Sequence, residues 1–197
     1  TVAVVLAGAE RLLRSDGMAS LTVRAVSRAA GVSPGTIYQY FDGVDAIIER
    51  LIDRCTEAVA SASRAGFERA LAAPETDWVE HTVRAMVQAH VADAPLRRAL
   101  IHGRHTRVTA RWREAEREAI AALAEVLGQV RPEIAGPRVL ATAAVLVGAV
   151  EGAIEQAMAD PATDLVFAED LIVELSRRVL ARAADPGTGL GPAAPPI

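Results

Sequence analysis

The sequence contains no lysine. All 21 of its basic side chains are arginine, a bias we read as composition rather than chemistry. It has one cysteine, Cys55, which excludes an intramolecular disulfide and fits a reducing compartment such as the cytoplasm. Its longest apolar run, VLATAAVLVGAV at 139–150, is shorter than the roughly 20 residues a bilayer span needs, so no membrane partner is expected. The opening TVAVVLAGA is apolar, but no basic segment precedes it. Val2, Val5, Leu6, Ala9, Leu12 and Leu13 carry one helical stripe onward into polar sequence, which is not the form of a signal peptide. The chain starts at Thr1 rather than Met, so further N-terminal residues are expected. No nucleophile-elbow motif or phosphate loop is present, which leaves nothing to support an enzyme. His102 and His105 lie three apart with Gly103 between them, but no cysteine or second histidine pair is near, so neither metal nor cofactor is expected.

What the sequence does have is alanine and helical periodicity. Apolar residues make up 51 % of its 197 residues and aromatics 4 %. Alanine is the best helix former, and Val, Ile and Leu recur at spacings of three and four rather than in alternation. The expected fold class is all-α, with about nine helices. The net charge of −4 shows no global basic bias.

The most informative stretch is AGVSPGTIYQYF at 30–41. A first helix over about 2–15 stops at Gly17. Thr22 can cap a second, with Val23 and Val26 turned inward, and Gly31 ends it. Ser33 then caps a third helix whose first position is Pro34, where a missing N–H costs nothing. A stop, a tight turn and a start joining two short helices is the sequence form of a helix-turn-helix. On the third helix, Ile37 and Phe41 lie four apart and can share the buried side. That leaves Gly35, Thr36, Tyr38, Gln39 and Tyr40 outward: hydroxyls, an amide and a glycine, suited to phosphates and base edges.

TVRAVSRAAGVSPGTIYQYF (22–41) resembles the DNA-binding signature of TetR-type transcriptional regulators, and the likeness extends over roughly residues 1–55. The resemblance implies a three-helix DNA-binding domain over 1–46, a helical ligand-binding and dimerisation domain over 47–185, and homodimerisation on palindromic double-stranded operator DNA. It also implies site residues. Arg24, beside the cap Thr22, matches a position that often reaches DNA. Ser33, Pro34 and Gly35 match phosphate contacts, Thr36, Tyr38 and Tyr40 match backbone or base contacts, and Gln39 sits where such regulators vary and so reads sequence. Two positions depart from the pattern. Val44 stands where the family usually has a lysine three residues after the helix-3 phenylalanine, and Ala25 stands where an acidic residue would complete a capping box with Thr22. Residues 1–64 also carry as many carboxylates as arginines.

A long helix from about 43 to 66 bears the stripe Ile47, Ile48, Leu51, Ile52, Cys55 and Val59. Five more are expected over 75–93, 95–102, 106–128, 137–159 and 164–184, the last capped by Thr163. The Pro/Gly-rich 186–197 reads as a disordered tail. The last two long helices are packed with small and branched apolar residues. With the resemblance they imply a dimer seam through Ala144, Val147, Ile154, Leu171, Leu175 and Val179. Phe67, Met86, His90, Leu100, Trp112, Val150 and Glu151 are candidate walls of a pocket for an apolar or amphipathic small molecule; each of the apolar ones also reads as core. His90 and Glu151 are polar groups on apolar stripes and must find a partner, in the chain or in a ligand. The arginines from Arg97 to Arg117 read as a solvated face paired with Glu114, Glu116 and Glu118. The functional expectation is a ligand-responsive repressor. The alternative is a related small-molecule or protein-binding module with weakened DNA binding, which Val44 and the neutral N-terminal charge balance keep open.

Overall fold

Alanine-rich sequence punctuated by capping residues gives nine α-helices and no strand among the described residues, which in this computed structural model are 1–74, 77–102, 106–160 and 162–185. They are α1 (Val2–Asp16), α2 (Val23–Ala30), α3 (Pro34–Tyr38), α4 (Val44–Ala72), α5 (Trp78–Ala92), α6 (Ala94–His102), α7 (Thr106–Val130), α8 (Pro137–Ala159) and α9 (Leu165–Ala184), with a short 3-10 turn at Met18–Ser20. The all-α class and the number of helices are those expected. Three ends differ. α4 runs on to Ala72, because no breaker precedes Pro74. α7 passes through Gly128, which costs only about 1 kcal/mol inside a helix. Asp164, not Thr163, caps α9, accepting from the backbone N–H groups of Val166 and Phe167 at 3.1 Å each. The tail 186–197, together with His105 and the side chain of His102, lies outside the described residues.

Packing divides the chain into two units, Thr1–Arg64 with Ala85–Glu118, and Ala65–Arg84 with Ala119–Ile197. The first unit has a core built on Val5, Ala9, Leu13, Val26, Ile37, Ile47, Leu51, Ile52, Leu96 and Leu100, all essentially inaccessible to water. Each of the Val, Leu and Ile side chains contributes about 1.5–3 kcal/mol when buried. α1 lies close against α2: a Cβ added to Gly8 would sit 2.9 Å from the backbone nitrogen of Ala30. Arg11 reinforces that approach by donating to the Ala29 carbonyl at 2.5 Å. α4 is tied on two sides by consecutive residues. Arg54 donates to Glu10 of α1 at 2.6 Å, and Asp53 accepts from Arg111 of α7 at 2.7 Å. Cys55 follows them, buried, and burial pushes its thiol pKa up to about 11.

In the second unit, Ala70, Trp78, Leu123, Leu127, Ile134, Ala143, Leu146, Val147 and Leu180 form the core. α4 and α5 approach closely where Gly66 faces the buried Thr82. Arg84 binds Glu80, Glu169 and Asp170, and Arg177 binds Asp77 and Glu80, which laces α5 to α9. Arg138 of α8 donates to the carbonyls of Ala183 and Asp185 at the end of α9. α8 as a whole is long and apolar enough to cross a membrane by length and composition, a test its 12-residue apolar run alone does not meet. A core helix passes the same test, and Thr142, Ala143, Leu146, Val147, Val150 and Ile154 of α8 are buried in the protein.

Candidate functional site

The turn between α2 and α3 is closed by its own backbone and caps. Thr22 Oγ1 accepts from Ala25 N at 3.1 Å, so the cap of α2 forms without an acidic partner at position 25. Gly31 takes the left-handed conformation at φ 67°. Its N–H donates to Arg28 O at 3.3 Å and that of Val32 to Ser27 O at 3.1 Å, the paired bonds of a Schellman stop. The Ser27 hydroxyl donates back to Val32 O at 2.5 Å. Ser33 Oγ accepts from Thr36 N at 3.0 Å and meets Thr36 Oγ1 at 2.9 Å, with Pro34 at the first helical position.

This geometry sets which face α3 presents. Ile37 and Phe41 are buried in the core of the first unit. Tyr38 and Tyr40 are 59 % and 51 % exposed, and Gly35 and Gln39 are exposed with them. Thr36 is half-buried through its contact with Ser33. Thr22, Arg24, Ser33 and Pro34 are exposed. All nine residues expected to meet DNA therefore fall between the cap of α2 and the residues just after α3, where Gln39 is the C-cap and Tyr40 follows it, and all but Thr36 are open to solvent. Val44 opens α4 and packs against the core, so the place expected to hold a phosphate-binding cation holds a packing residue instead.

The residues expected to line a pocket fall in both units. In the first, Leu100 is wholly buried in the core and Met86 is half-buried. His90 is 1 % exposed. Its Nδ1 lies 2.8 Å from Met86 O; a carbonyl only accepts, so Nδ1 carries the proton. Burial, and then the nearby Arg97, lower its pKa to about 4. Trp112 packs on the core, with the Arg97 guanidinium 4.5 Å from its ring centroid. Arg97 is thus buried, not part of a solvated arginine face. A run of arginines hides which member turns inward; the apolar Leu96 and Leu100 flanking it at helical spacing are the available signal. Arg111 does pair with Glu114 as expected, while Arg104 and the side chain of Arg107 lie outside the described residues. In the second unit, Phe67 packs on the core, Val150 is buried and Glu151 is half-buried. Among the described residues no cluster of three or more metal-binding side chains occurs.

Of the residues expected at a dimer seam, Ala144 is exposed, and Leu171 and Leu175 are 54 % and 42 % exposed. Val179 is half-buried. Val147 and Ile154 lie instead in the interior of their own unit, because they face inward on α8. Sequence reasoning missed Leu140, Val145, Val166 and Phe167, all exposed large apolar side chains of α8 and α9. Phe167, Leu171, Leu175 and Val179 form a single i+4 row, a signal that was available. On α8, Gly148 and Gly152 have open space where a Cβ would be.

Two family models match the chain. One describes bacterial regulatory proteins of the tetR family and covers residues 5–51; the other describes the tetracyclin repressor-like C-terminal domain and covers 74–181. No curated protein matches. Several solved structures share the fold. The SmeT–triclosan complex aligns with TM-score 0.71 at 19 % identity over 100 % of this chain and 98 % of that one. The flavonoid-responsive regulator FrrA aligns with TM-score 0.68 at 21 % identity over 95 % and 98 %. A TetR-family transcriptional regulator from Streptomyces coelicolor aligns with TM-score 0.65 at 18 % identity over 93 % and 95 %.

Proposed function

The chain belongs to the tetR family of bacterial regulatory proteins, and on that premise we propose that it is a dimeric repressor released from palindromic operator DNA by a small molecule. The observation that carries the DNA-binding part is the exposed face of α3, held out by the buried pair Ile37 and Phe41. In this reading Tyr38, Tyr40, Thr36 and the Ser33–Pro34–Gly35 turn hold the phosphate backbone, Arg24 adds a charged contact, and the Gln39 amide reads a base, for which a bidentate pair with adenine is the natural geometry. Residues 1–46 do the binding, and 47–185 hold the effector and the partner subunit. Dimerisation uses the exposed row Phe167, Leu171 and Leu175 of α9 with Ala144, Val145 and Gly148 of α8. It sets two recognition helices about 34 Å apart, one turn of DNA.

The effector site in this reading is drawn from the first unit: Met86, His90, Leu100 and Trp112 on α5, α6 and α7. The tie from Arg111 of α7 to Asp53, and from its neighbour Arg54 to Glu10 of α1, offers a route from that site through α4 to the DNA-binding helices. An effector shifts the balance only by its differential affinity for two settings of α4. Couplings of about 1–3 kcal/mol correspond to roughly 5–150-fold in operator affinity.

Fluorescence anisotropy with DNA flanking the protein's own gene tests the reading. Tyr38→Ala should weaken binding to every sequence, whereas Gln39→Ala should change preference at one position by about 1–3 kcal/mol. Wild-type behaviour in both variants would remove α3 as the reading element. Packing of Val44 into the core and the neutral charge balance of 1–64 favour a second reading, a binding module with weakened DNA affinity. Failure of the wild type to prefer any flanking DNA over random DNA would select it.

A further inference from the structure

His90 and Trp112 each leave one polar atom without a hydrogen-bond partner. His90 Nε2 and Trp112 Nε1 are both buried from water and bond to nothing. Such groups are rare in native proteins, since a buried polar atom left unpaired forfeits its hydration with nothing in return. The two share a neighbour. Arg97 stacks on the Trp112 ring and is close enough to act electrostatically on His90. All three belong to the first unit, one each on α5, α6 and α7.

The chemistry at each atom is fixed. Because Nδ1 of His90 donates to Met86 O, the neutral ring offers a lone pair at Nε2 and needs a donor there. The indole of Trp112 has only an N–H and needs an acceptor. One molecule that satisfies both atoms must therefore supply a donor and an acceptor. A hydroxyl does so with one group. A carboxylate would serve Trp112 but offer no proton to His90. An ammonium would serve His90 but offer nothing to Trp112, and it would meet Arg97 with like charge.

The geometry points to an uncharged, hydroxyl-bearing apolar effector, a phenol or alcohol, whose hydroxyl binds His90 Nε2 and Trp112 Nε1–H. This inference rests on the effector-responsive reading above and names the class of molecule that acts there. The apolar remainder of the effector lies against Met86 and the side of α6 that carries Leu100. Arg97 acts by stacking on the indole and by disfavouring cationic compounds.

The test uses the full-length protein with 15N-labelled tryptophan. The chain has two tryptophans, so two indole N–H signals are expected, and Trp78→Phe (or Trp112→Phe, should the first variant fail to fold) assigns them. The probes are 4-alkylphenols from ethyl to octyl, the matching alkylbenzenes, and the matching 4-alkylbenzylammonium ions. At least one phenol should bind and move the Trp112 indole proton downfield. The matching alkylbenzene should bind about tenfold more weakly, and the ammonium more weakly still. His90→Leu should shrink the preference for phenol over alkylbenzene to threefold or less. The proposal is overturned if the alkylbenzene binds as tightly as the phenol, if the ammonium binds more tightly, or if the indole signal stays put at phenol saturation. It is overturned equally if no phenol binds up to its solubility limit, in which case water alone satisfies the two atoms. DNA release is scored separately. Phenol binding with the indole shift but no release supports the site and removes the effector reading; release that ignores His90→Leu supports the reading and removes the site.

Discussion

Replacing Gly66 with alanine should damage the protein, although alanine is the better helix former. The substitution gains about 1 kcal/mol of helix propensity. Against that stands Thr82. The new Cβ would overlap Thr82 Oγ1 and come within 2.7 Å of both its Cβ and its Cγ2. No rotamer of Thr82 removes the clash with its own Cβ, and its hydroxyl is committed to the Trp78 carbonyl at 2.7 Å. α4 and α5 must then separate by about 0.8 Å to restore ordinary contact near 3.5 Å. Overpacking of this kind costs about 1–3 kcal/mol and occasionally more. With backbone displacement required, the upper end applies, and the net loss should be about 2 kcal/mol. Urea denaturation at one fixed protein concentration measures it, since the proposed dimerisation would make stability concentration-dependent. Two comparisons sharpen the result. Gly128→Ala on α7 meets nothing within 4 Å and should stabilise by about 0.5–1 kcal/mol. Thr82→Ala in the Gly66→Ala background removes two of the three clashing atoms and should recover more than half of the loss. If Gly66→Ala proves as stable as wild type, the close α4–α5 approach does not exist in solution.

Leu175→Glu should fold as a monomer, because the side chain is exposed on the single chain, yet lose dimerisation by about 3 kcal/mol or more through an unpaired charge at the seam; sedimentation at micromolar concentration reads it, and an unchanged dimer mass refutes the interface. The depressed pKa of His90, about 4, means the unfolded chain binds a proton first. Stability should be complete above about pH 6.5 and fall by about 3 kcal/mol as pH drops through 4; His90→Gln should flatten that window in pH-dependent urea titrations, and an identical slope in the variant would exclude His90 as its source. The Glu80 carboxyl is held below its usual range by hydrogen bonds from Arg84 and Arg177, so its contribution is present above about pH 4.5 and lost in more acid solution; Glu80→Gln should be less sensitive there when both proteins are melted across that range. Val44→Lys should strengthen DNA binding and steepen its salt dependence by about 0.9 per added phosphate contact, roughly 1.8 for a dimer; an unaltered slope would place position 44 away from the phosphates.

The parts of the fold that sequence revealed are those governed by local chemistry. Thr22, Gly31, Ser33 and Pro34 each act on atoms within five residues, so their roles could be read without knowing what packs on them. The same holds for the inward pair Ile37 and Phe41. Periodicity also located α8 and α9, but a helical stripe does not say whether it faces its own chain or another. Val147 and Ile154 turned inward for that reason, while Phe167 and Val145 went unremarked on the open side. Arg97 was hidden among neighbours of the same charge. The ties from Asp53 and Arg54, and the close approaches at Gly8 and Gly66, join residues far apart in sequence, and neither a lone glycine inside a helix nor an Asp-Arg pair signals its distant partner.

The bonds that shape the turn between α2 and α3 begin and end within residues 22–36, while residues 38–40 stand exposed beyond them. On the proposed reading of DNA by residues 38–40, scaffold and reading surface are therefore separable. Tyr38, Gln39 and Tyr40 can be exchanged for residues other than proline without removing a side-chain cap or emptying a core position, since Gln39 caps α3 through its backbone N–H alone, and surface changes of this sort typically shift stability by no more than about 0.5 kcal/mol. A lineage carrying this segment could acquire a new operator by drift at three positions, with folding left intact at every intermediate step. Changes at Ser33, Gly31 or Ile37 would stop that walk, since each removes a support on which all three side chains depend.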